Sequence, residues 1–126
     1  MIDGAPMYSI TYHKPANLVR LTWLAGTAGM VDQDFKETLE VFAESALQHN
    51  AQRLIIDVRE FKYRPSAEIL AWRDEITVGK YNRAGVKKLV WVWPGDVPSN
   101  MPASEKAKYE NRYCSTEAEA LAWIMG

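Results

Sequence analysis

The sequence predicts an α/β domain: a mixed, mostly parallel sheet of about five strands with helices packed on it. Three observations support this fold class. The chain opens with two β-type segments around a proline-containing turn, later apolar runs of strand length alternate with segments of helical periodicity, and 48% of the 126 residues are hydrophobic. This length predicts one domain over residues 8–125, preceded by a short extension over residues 1–7.

A β-hairpin and a long helix are the first predicted elements. Tyr8–Tyr12 and Leu18–Leu24 are rich in β-branched and aromatic residues and flank a turn that contains proline and asparagine. Apolar residues then recur at spacings of four, three and four, which predicts a helix over about Asp32–His49. Asp32 is its expected N-terminal cap.

A second strand and helix follow. Leu54–Val58 is a short apolar run of the kind that a parallel sheet buries on both faces, and a helix is predicted over Ser66–Val78. Because parallel neighbours need crossover connections, this alternation indicates a largely parallel sheet. The residues expected to face inward from the second helix are Ile69, Leu70, Trp72 and Ile76.

The last third of the chain begins with a strand over Leu89–Trp93, in which tryptophans alternate with valines, so that both faces are expected to be covered. Thr116 and Glu119 have the spacing of a capping box at the start of the final helix. The remaining predicted elements are a proline-rich loop over Pro94–Pro102, a weak helical turn near Ser104–Tyr109, an extended piece around Arg112–Cys114 and a helix over Glu117–Ile124.

Composition and charge exclude several classes of protein. The formal net charge of −1 argues against a nucleic-acid partner, and no apolar run approaches the roughly 20 residues of a membrane-spanning helix. The N-terminus lacks the basic and apolar regions of a secretory signal, and a lone Cys114 forms no internal disulfide, so we expect a cytoplasmic protein. No metal or cofactor site is expected.

The closing segment of the chain suggests a family. Ser115–Ile124, with its Ala-Leu-Ala-Trp-Ile ending, resembles the end of STAS-like proteins, specifically the SpoIIAA-like branch related to anti-sigma-factor antagonists. Further similarities are Gly26 after the second strand, Asp57 near a strand end, and Gly85–Val90 entering a strand. The resemblance runs over about residues 8–124 and implies a STAS-like fold. It also implies a non-enzymatic regulatory or protein-interaction module with a protein partner.

The resemblance to STAS proteins also raises the question of regulation by phosphorylation, which in that family occurs at a turn after a strand. In phospho-regulated STAS proteins a strand leads into an Asp-Ser-Ser-Gly or Asp-Ser-Thr-Gly type of turn, whose hydroxyl residue is phosphorylated by a partner kinase. The corresponding turn here is Lys62–Ala67, in which Ser66 is the hydroxyl residue at a matching place, without an acidic residue before it or a glycine after it. Ser66 is therefore a candidate phosphosite, or a helix cap whose hydroxyl satisfies free backbone donors.

A candidate partner or anion surface consists of Lys62, Arg64 and Thr27. The two cations could pair with a phosphate or another anion, and Thr27 lies between two glycines ahead of a helix, although the Gly-Lys-Ser/Thr ending of a phosphate-binding loop is absent. Because the loops after parallel strands share one edge of a sheet, we expect three segments to lie side by side there. They are Ala25–Val31, Lys62–Ser66 and Pro94–Pro102.

The alternative function is binding or sensing of a small apolar or anionic ligand, since STAS-like folds also resemble the CRAL-TRIO lipid-transfer proteins. The candidate lining residues of such a pocket, at the C-terminal edge of the sheet, are Asp57, Trp93, Val97 and Met101. An enzyme would require residues such as Asp57 and Ser66 to converge on one site. A homo-oligomer is left open by the sequence.

Overall fold

Five strands form one sheet in the computed structural model, which describes residues 6–95 and 106–126. The first two strands are antiparallel, and each later strand is parallel to its predecessor. The strands, which also lie in this order across the sheet, are β1 (Tyr8–His13), β2 (Leu18–Trp23), β3 (Arg53–Asp57), β4 (Lys88–Val92) and β5 (Glu110–Cys114). The predicted hairpin and the mixed, mostly parallel sheet are confirmed.

Three α-helices in the described part of the chain cover the sheet: α1 (Asp32–His49), α2 (Ala67–Ala84) and α3 (Glu117–Met125). α1 connects β2 to β3 and α2 connects β3 to β4, and the right-handed sense of such crossovers places both helices on the same face. α3 follows β5 and packs on the opposite face. No helix in the described parts of the chain has the length and apolar character needed to cross a membrane.

The two faces of the sheet bury separate cores. Leu54, Ile56 and Leu89 belong to the larger core beneath α1 and α2, where Phe42 of α1 is fully buried. The smaller core lies beneath α3 and contains Ile55, between the two larger-core residues of β3. Successive strand residues therefore point to opposite, covered faces, which confirms the expectation for the buried strands.

Polar contacts hold both ends of the short helix α3. Thr116 is its N-cap, because its hydroxyl oxygen accepts a hydrogen bond from the Glu119 amide at 3.1 Å and its O–H group reaches the Glu119 carboxylate at 3.1 Å. At the other end, Arg53 donates to the Ile124 carbonyl at 3.1 Å, and Lys88 donates to the Trp123 carbonyl at 3.1 Å. Carbonyls in the last turn of a helix lack intrahelical partners, so these cations stabilise a helix too short to form alone.

The start of α1 differs from the expectation. Asp32 is the first helical residue rather than the cap, and the position before the helix is Val31. The Val31 N–H group donates to Asp34 Oδ2 at 3.1 Å, and the Asp32 carboxylate instead accepts a hydrogen bond from the Tyr63 hydroxyl. A search for a polar cap misses this start because valine has no side-chain acceptor.

α2 is longer than predicted, and a different set of its residues faces the core. It continues to Ala84 and ends at Gly85, whose φ of 91° is a left-handed conformation that favours glycine. Ile76 was expected to face inward but is 38% exposed, whereas Thr77 beside it is buried. The Thr77 hydroxyl donates to the Arg73 carbonyl at 2.6 Å, so the core accepts this polar residue without an unsatisfied group.

The helical turn predicted near Ser104–Tyr109 is wrong for its described residues, because 106–109 form no helix. The side chain of Asn82 on α2 holds this segment. Its Nδ2 donates to the carbonyl of Lys106 at 2.8 Å, and its Oδ1 accepts from the amide of Lys108 at 2.9 Å. Backbone groups that a helical turn would use are therefore bonded to α2 instead.

Truncating Phe42 should measure how much the larger core contributes to stability. Phe42 is fully buried and meets Tyr81 of α2 edge-on, with ring centroids 5.9 Å apart. We expect Phe42→Ala to lower the free energy of unfolding by about 3–5 kcal/mol, because transfer and cavity terms add. Urea unfolding monitored by circular dichroism measures this loss.

Val41→Ala is the matched control, because Val41 is the preceding residue of α1 and is 50% exposed. We expect a change within about 0.5 kcal/mol. Equal losses in the two variants would contradict the burial pattern of α1.

Candidate functional site

A cluster of charged side chains surrounds Asp57, the last residue of β3. Asp57 is 3% exposed, and its Oδ2 lies 2.9 Å from Arg20 Nη2 and 2.7 Å from Arg59 Nη2. Its Oδ1 accepts the backbone N–H of Arg59 at 3.0 Å. Arg20, on β2, also pairs with Glu117 in the first turn of α3. The cluster thus joins β2, β3, the loop after β3 and α3.

The arginines keep the buried carboxyl group of Asp57 ionised. Burial acts to raise its pKa, but the hydrogen bonds from Arg59 and the charges of Arg59 and Arg20 together outweigh burial, so its pKa lies below the usual value of 3.8. A carboxylate with this pKa and these partners is a weak proton acceptor near neutral pH. Asp57 therefore fits a structural ion pair better than an acid–base group.

The loop after β3 is fastened to the core by aromatic rings. The exposure of its side chains alternates, so that Phe61 and Tyr63 are partly buried while Lys62, Arg64 and Ser66 are exposed. The ring centroid of Phe61 lies 4.8 Å from that of Trp23, and the ring of Tyr63 packs 5.3 Å from Phe35. We name residues Lys62–Ser66 the basic loop.

The candidate surface residues Lys62 and Arg64 and the candidate phosphosite Ser66 all lie on the solvent side of the basic loop. Lys62 and Arg64 form no ion pair with any residue in the described parts of the chain, in contrast to Arg59 nearby. Ser66 is the N-cap of α2, with its Oγ accepting the Ile69 amide at 3.3 Å. The structure thus brings two unneutralised cations next to the start of an 18-residue helix.

Thr27 does not belong to this exposed surface, so its assignment as a partner- or anion-binding residue is corrected. It is 1% exposed, and its hydroxyl donates to the Leu24 carbonyl at 2.7 Å and accepts the Lys62 amide at 2.8 Å. Thr27 instead joins the loop before α1 to the basic loop. Two of the three segments expected at this edge of the sheet are therefore adjacent.

The predicted pocket residues do not form one site within the described chain. Asp57 is enclosed by arginines, whereas Trp93 is partly buried and its ring meets that of Tyr113 edge-on at 5.9 Å. Val97 and Met101 lie outside the described residues, as does most of the proline-rich loop.

Cavities between described residues lie away from Asp57 and Trp93. One, of about 40 Å³, is lined by residues of α2 and the β4–β5 side of the sheet, including Arg73, Trp91 and Tyr113. Another, of about 210 Å³, lies at the N-terminal ends of β3 and β4, near Arg53 and Lys88. Neither of these two is lined by Asp57 or Trp93.

Asp57 and Ser66 do not form a nucleophile–base pair. The hydrogen bonds of the Asp57 carboxylate come from Arg20 and Arg59, and the Ser66 hydroxyl oxygen accepts from the backbone of its own helix. An enzyme that used these two residues would need them in contact, and their hydrogen bonds go to other groups instead.

Sequence reasoning missed the two arginines that define the Asp57 cluster. Arg59 follows Asp57 by two residues, a spacing at which a carboxylate commonly accepts a backbone N–H, so it could have been found from sequence. Arg20 is 37 positions away from Asp57. Its contact depends on the β2–β3 register, in which Thr22 is the direct partner of Asp57.

Comparisons with protein-family models, with curated proteins and with solved structures find no match to this chain.

Replacing the Asp57 carboxylate should change both stability and its dependence on pH. We expect Asp57→Asn to lower the free energy of unfolding at pH 7 by about 2 kcal/mol, because Arg20 and Arg59 lose their shared anion. Since the pKa of Asp57 is lower in the folded state, its stabilising contribution is present above about pH 4 and is lost as pH falls further. Urea unfolding from pH 7 to pH 2.5 should show the two proteins converging in acid.

Asp74→Asn is the control, because the Asp74 side chain is 43% exposed and pairs with its neighbour Arg73. We expect a change within about 0.5 kcal/mol at pH 7. A constant difference between wild type and Asp57→Asn over the whole pH range would contradict the lowered pKa.

Proposed function

We propose that this chain is a non-enzymatic, STAS-like regulatory module that binds an acidic surface of a protein partner through the basic loop. One observation carries the proposal: the loop is anchored by aromatic packing while Lys62 and Arg64 point to solvent without acidic partners in the described chain. The resemblance of the closing segment to SpoIIAA-like proteins supports the regulatory role.

Anchoring matters because binding costs conformational entropy. A loop held by Phe61 and Tyr63 presents its cations in one arrangement before a partner arrives, so less freedom is lost on association. The Tyr63 hydroxyl also bonds to Asp32, which ties the loop to the start of α1. A preformed cationic surface of this kind attracts acidic partners and discriminates against basic ones.

The charge balance of the loop favours an anionic partner. Arg59 is neutralised by Asp57, whereas Lys62 and Arg64 have no ion-pair partner within residues 6–95 and 106–126. The N-terminus of α2 at Ser66 adds the partial positive charge of a helix start. Binding should therefore weaken as ionic strength rises.

Binding of a small apolar or anionic ligand is the second candidate function. The observation that favours it is the cavity beside Trp91 and Tyr113, although about 40 Å³ has room for only a few water molecules. A ligand would have to separate α2 from β5. Native mass spectrometry of the purified protein distinguishes the two functions, because a copurifying small molecule would support the ligand candidate.

Reversing the charge of Arg64 should weaken partner binding without unfolding the protein. We expect Arg64→Glu to reduce the amount of acidic protein captured from native extract by about tenfold or more, because the carboxylate repels an acidic surface. The free energy of unfolding should change by no more than about 0.5 kcal/mol, as Arg64 is exposed. Quantitative mass spectrometry of the captured proteins and thermal unfolding measure the two effects.

Lys87→Glu is the matched control, because it makes the same charge change at an exposed site at the opposite edge of the sheet. Its capture profile should equal that of wild type. Capture that is unchanged by Arg64→Glu, or reduced equally by both substitutions, would overturn the proposed surface.

Two substitutions separate the capping role of Ser66 from an effect of negative charge. Aspartate caps helices as well as serine does, so Ser66→Asp should preserve stability while adding the negative charge that phosphorylation would bring. Ser66→Ala should cost about 1 kcal/mol through loss of the cap. We expect Ser66→Asp, but not Ser66→Ala, to weaken capture of the acidic partner.

Partner capture and thermal unfolding of both variants decide the point. Equal capture by wild type and Ser66→Asp would count against a phosphate-controlled switch at this position, whereas the basic loop itself is tested by Arg64→Glu.

A further inference from the structure

The outer edge of β1 is open to pairing. β1 is the first strand of the sheet, and no other strand of the described residues lies beyond it. Natural edge strands are often protected by charged residues, proline or a bulge. The segment Tyr8–Tyr12 carries no charge and no proline, and its register with β2 is unbroken.

The backbone groups that face outward from β1 can be identified from one hydrogen bond. The Leu24 amide donates to the Met7 carbonyl at 2.8 Å, in line with the antiparallel register of β1 and β2. Hydrogen-bonded pairs in an antiparallel ladder occur at every second residue, so Ser9 and Thr11 also bond to β2. Tyr8, Ile10 and Tyr12 therefore direct their N–H and C=O groups away from the sheet.

The sequence of this edge is nearly palindromic. Tyr8-Ser9-Ile10-Thr11-Tyr12 is the same in both directions except that serine and threonine exchange. An interface between two identical chains related by a two-fold axis must be complementary to itself. An antiparallel strand pair centred on Ile10 satisfies this requirement, and in that register each tyrosine faces a tyrosine and each small hydroxyl residue faces another.

We infer that the β1 edge is a homodimerisation surface, at which two copies of the chain pair antiparallel about a two-fold axis through Ile10 and form one continuous ten-stranded sheet. In this register Tyr8 faces Tyr12 of the second copy, and Ile10 faces Ile10. The outward residues coincide with the hydrogen-bonded positions of the new pair, so each facing pair exchanges two hydrogen bonds.

The side chains of β1 suit this arrangement. Tyr8 is 39% exposed and would be covered by the second copy. Tyr12 is held in place by stacking on His49, with ring centroids 3.7 Å apart. On the other face, Ser9 and Thr11 are exposed and small, so they allow close approach of the strands. The surface uses no residue of the basic loop and does not depend on the proposed partner.

Two double variants that differ only at residue 9 test the interface and its register. In the dimer, residue 9 of each chain faces residue 11 of the other. Ser9→Glu with Thr11→Glu places like charges across the two-fold axis, whereas Ser9→Lys with Thr11→Glu places opposite charges there. Residue 11 lies opposite Arg20 of β2 in both variants, so any effect of the Thr11→Glu change within the chain is shared by the two proteins.

Analytical ultracentrifugation over a range of concentrations measures the dimer dissociation constant of all three proteins. We expect wild type to dimerise, the all-glutamate variant to bind at least about tenfold more weakly, and the lysine–glutamate variant to bind as tightly as wild type or more so. Wild type that stays monomeric up to about 1 mM would overturn the inference. So would a dimer insensitive to the all-glutamate change, or one lost equally in both variants.

Amide hydrogen exchange of wild type gives a test that needs no substitution. The amides of Ile10 and Tyr12 should become protected as concentration rises, whereas those of Ser9 and Thr11 should be protected at every concentration because they bond to β2. Dimerisation without added protection at Ile10 would place the interface elsewhere and overturn the inference.

Discussion

Burial of both faces of β3 and β4 is the constraint on which the rest of this structure depends. Parallel strands in the middle of a sheet cannot leave a face in water, so helices are needed on each side. α1 and α2 meet this need on one side, where Leu54 and Ile56 are buried. On the other side Ile55 is covered by α3, a nine-residue helix that depends on Arg53 and Lys88 for its C-terminal carbonyls.

The same constraint explains the Asp57 cluster. β3 ends with a carboxylate at a position that is still buried, and an uncompensated charge there would be costly. Arg20 and Arg59 compensate it, and the bond from Arg20 to Glu117 extends the compensation to the start of α3. The carboxylate at the strand end thus serves the assembly of the fold. In the loop that follows, the exposed side chains of Lys62 and Arg64 have no such partners among the residues that the structure describes.

The exposed regions of the molecule lie where no helix packs on the sheet. α3 packs against the β4–β5 side, so the polar face of β1, with Ser9 and Thr11, is left exposed, as antiparallel strands permit. The basic loop is a second open region, but Tyr63 within it and Phe61 just before it pack against the larger core. One surface therefore consists of backbone at a sheet edge, and the other consists of charge on an anchored loop.

The sequence alone determined the features that depend on near neighbours: the hairpin, the length of α1, the Thr116–Glu119 cap, and the exposure of Lys62 and Arg64 on a loop after β3. Only the tertiary structure decided that Thr27 is buried, that Ile76 is exposed and that Asp57 binds Arg20. Periodicity and capping act over three or four residues, so they can be read along the chain. Burial and ion pairing depend on residues tens of positions away, which the strand register and the helix packing bring together.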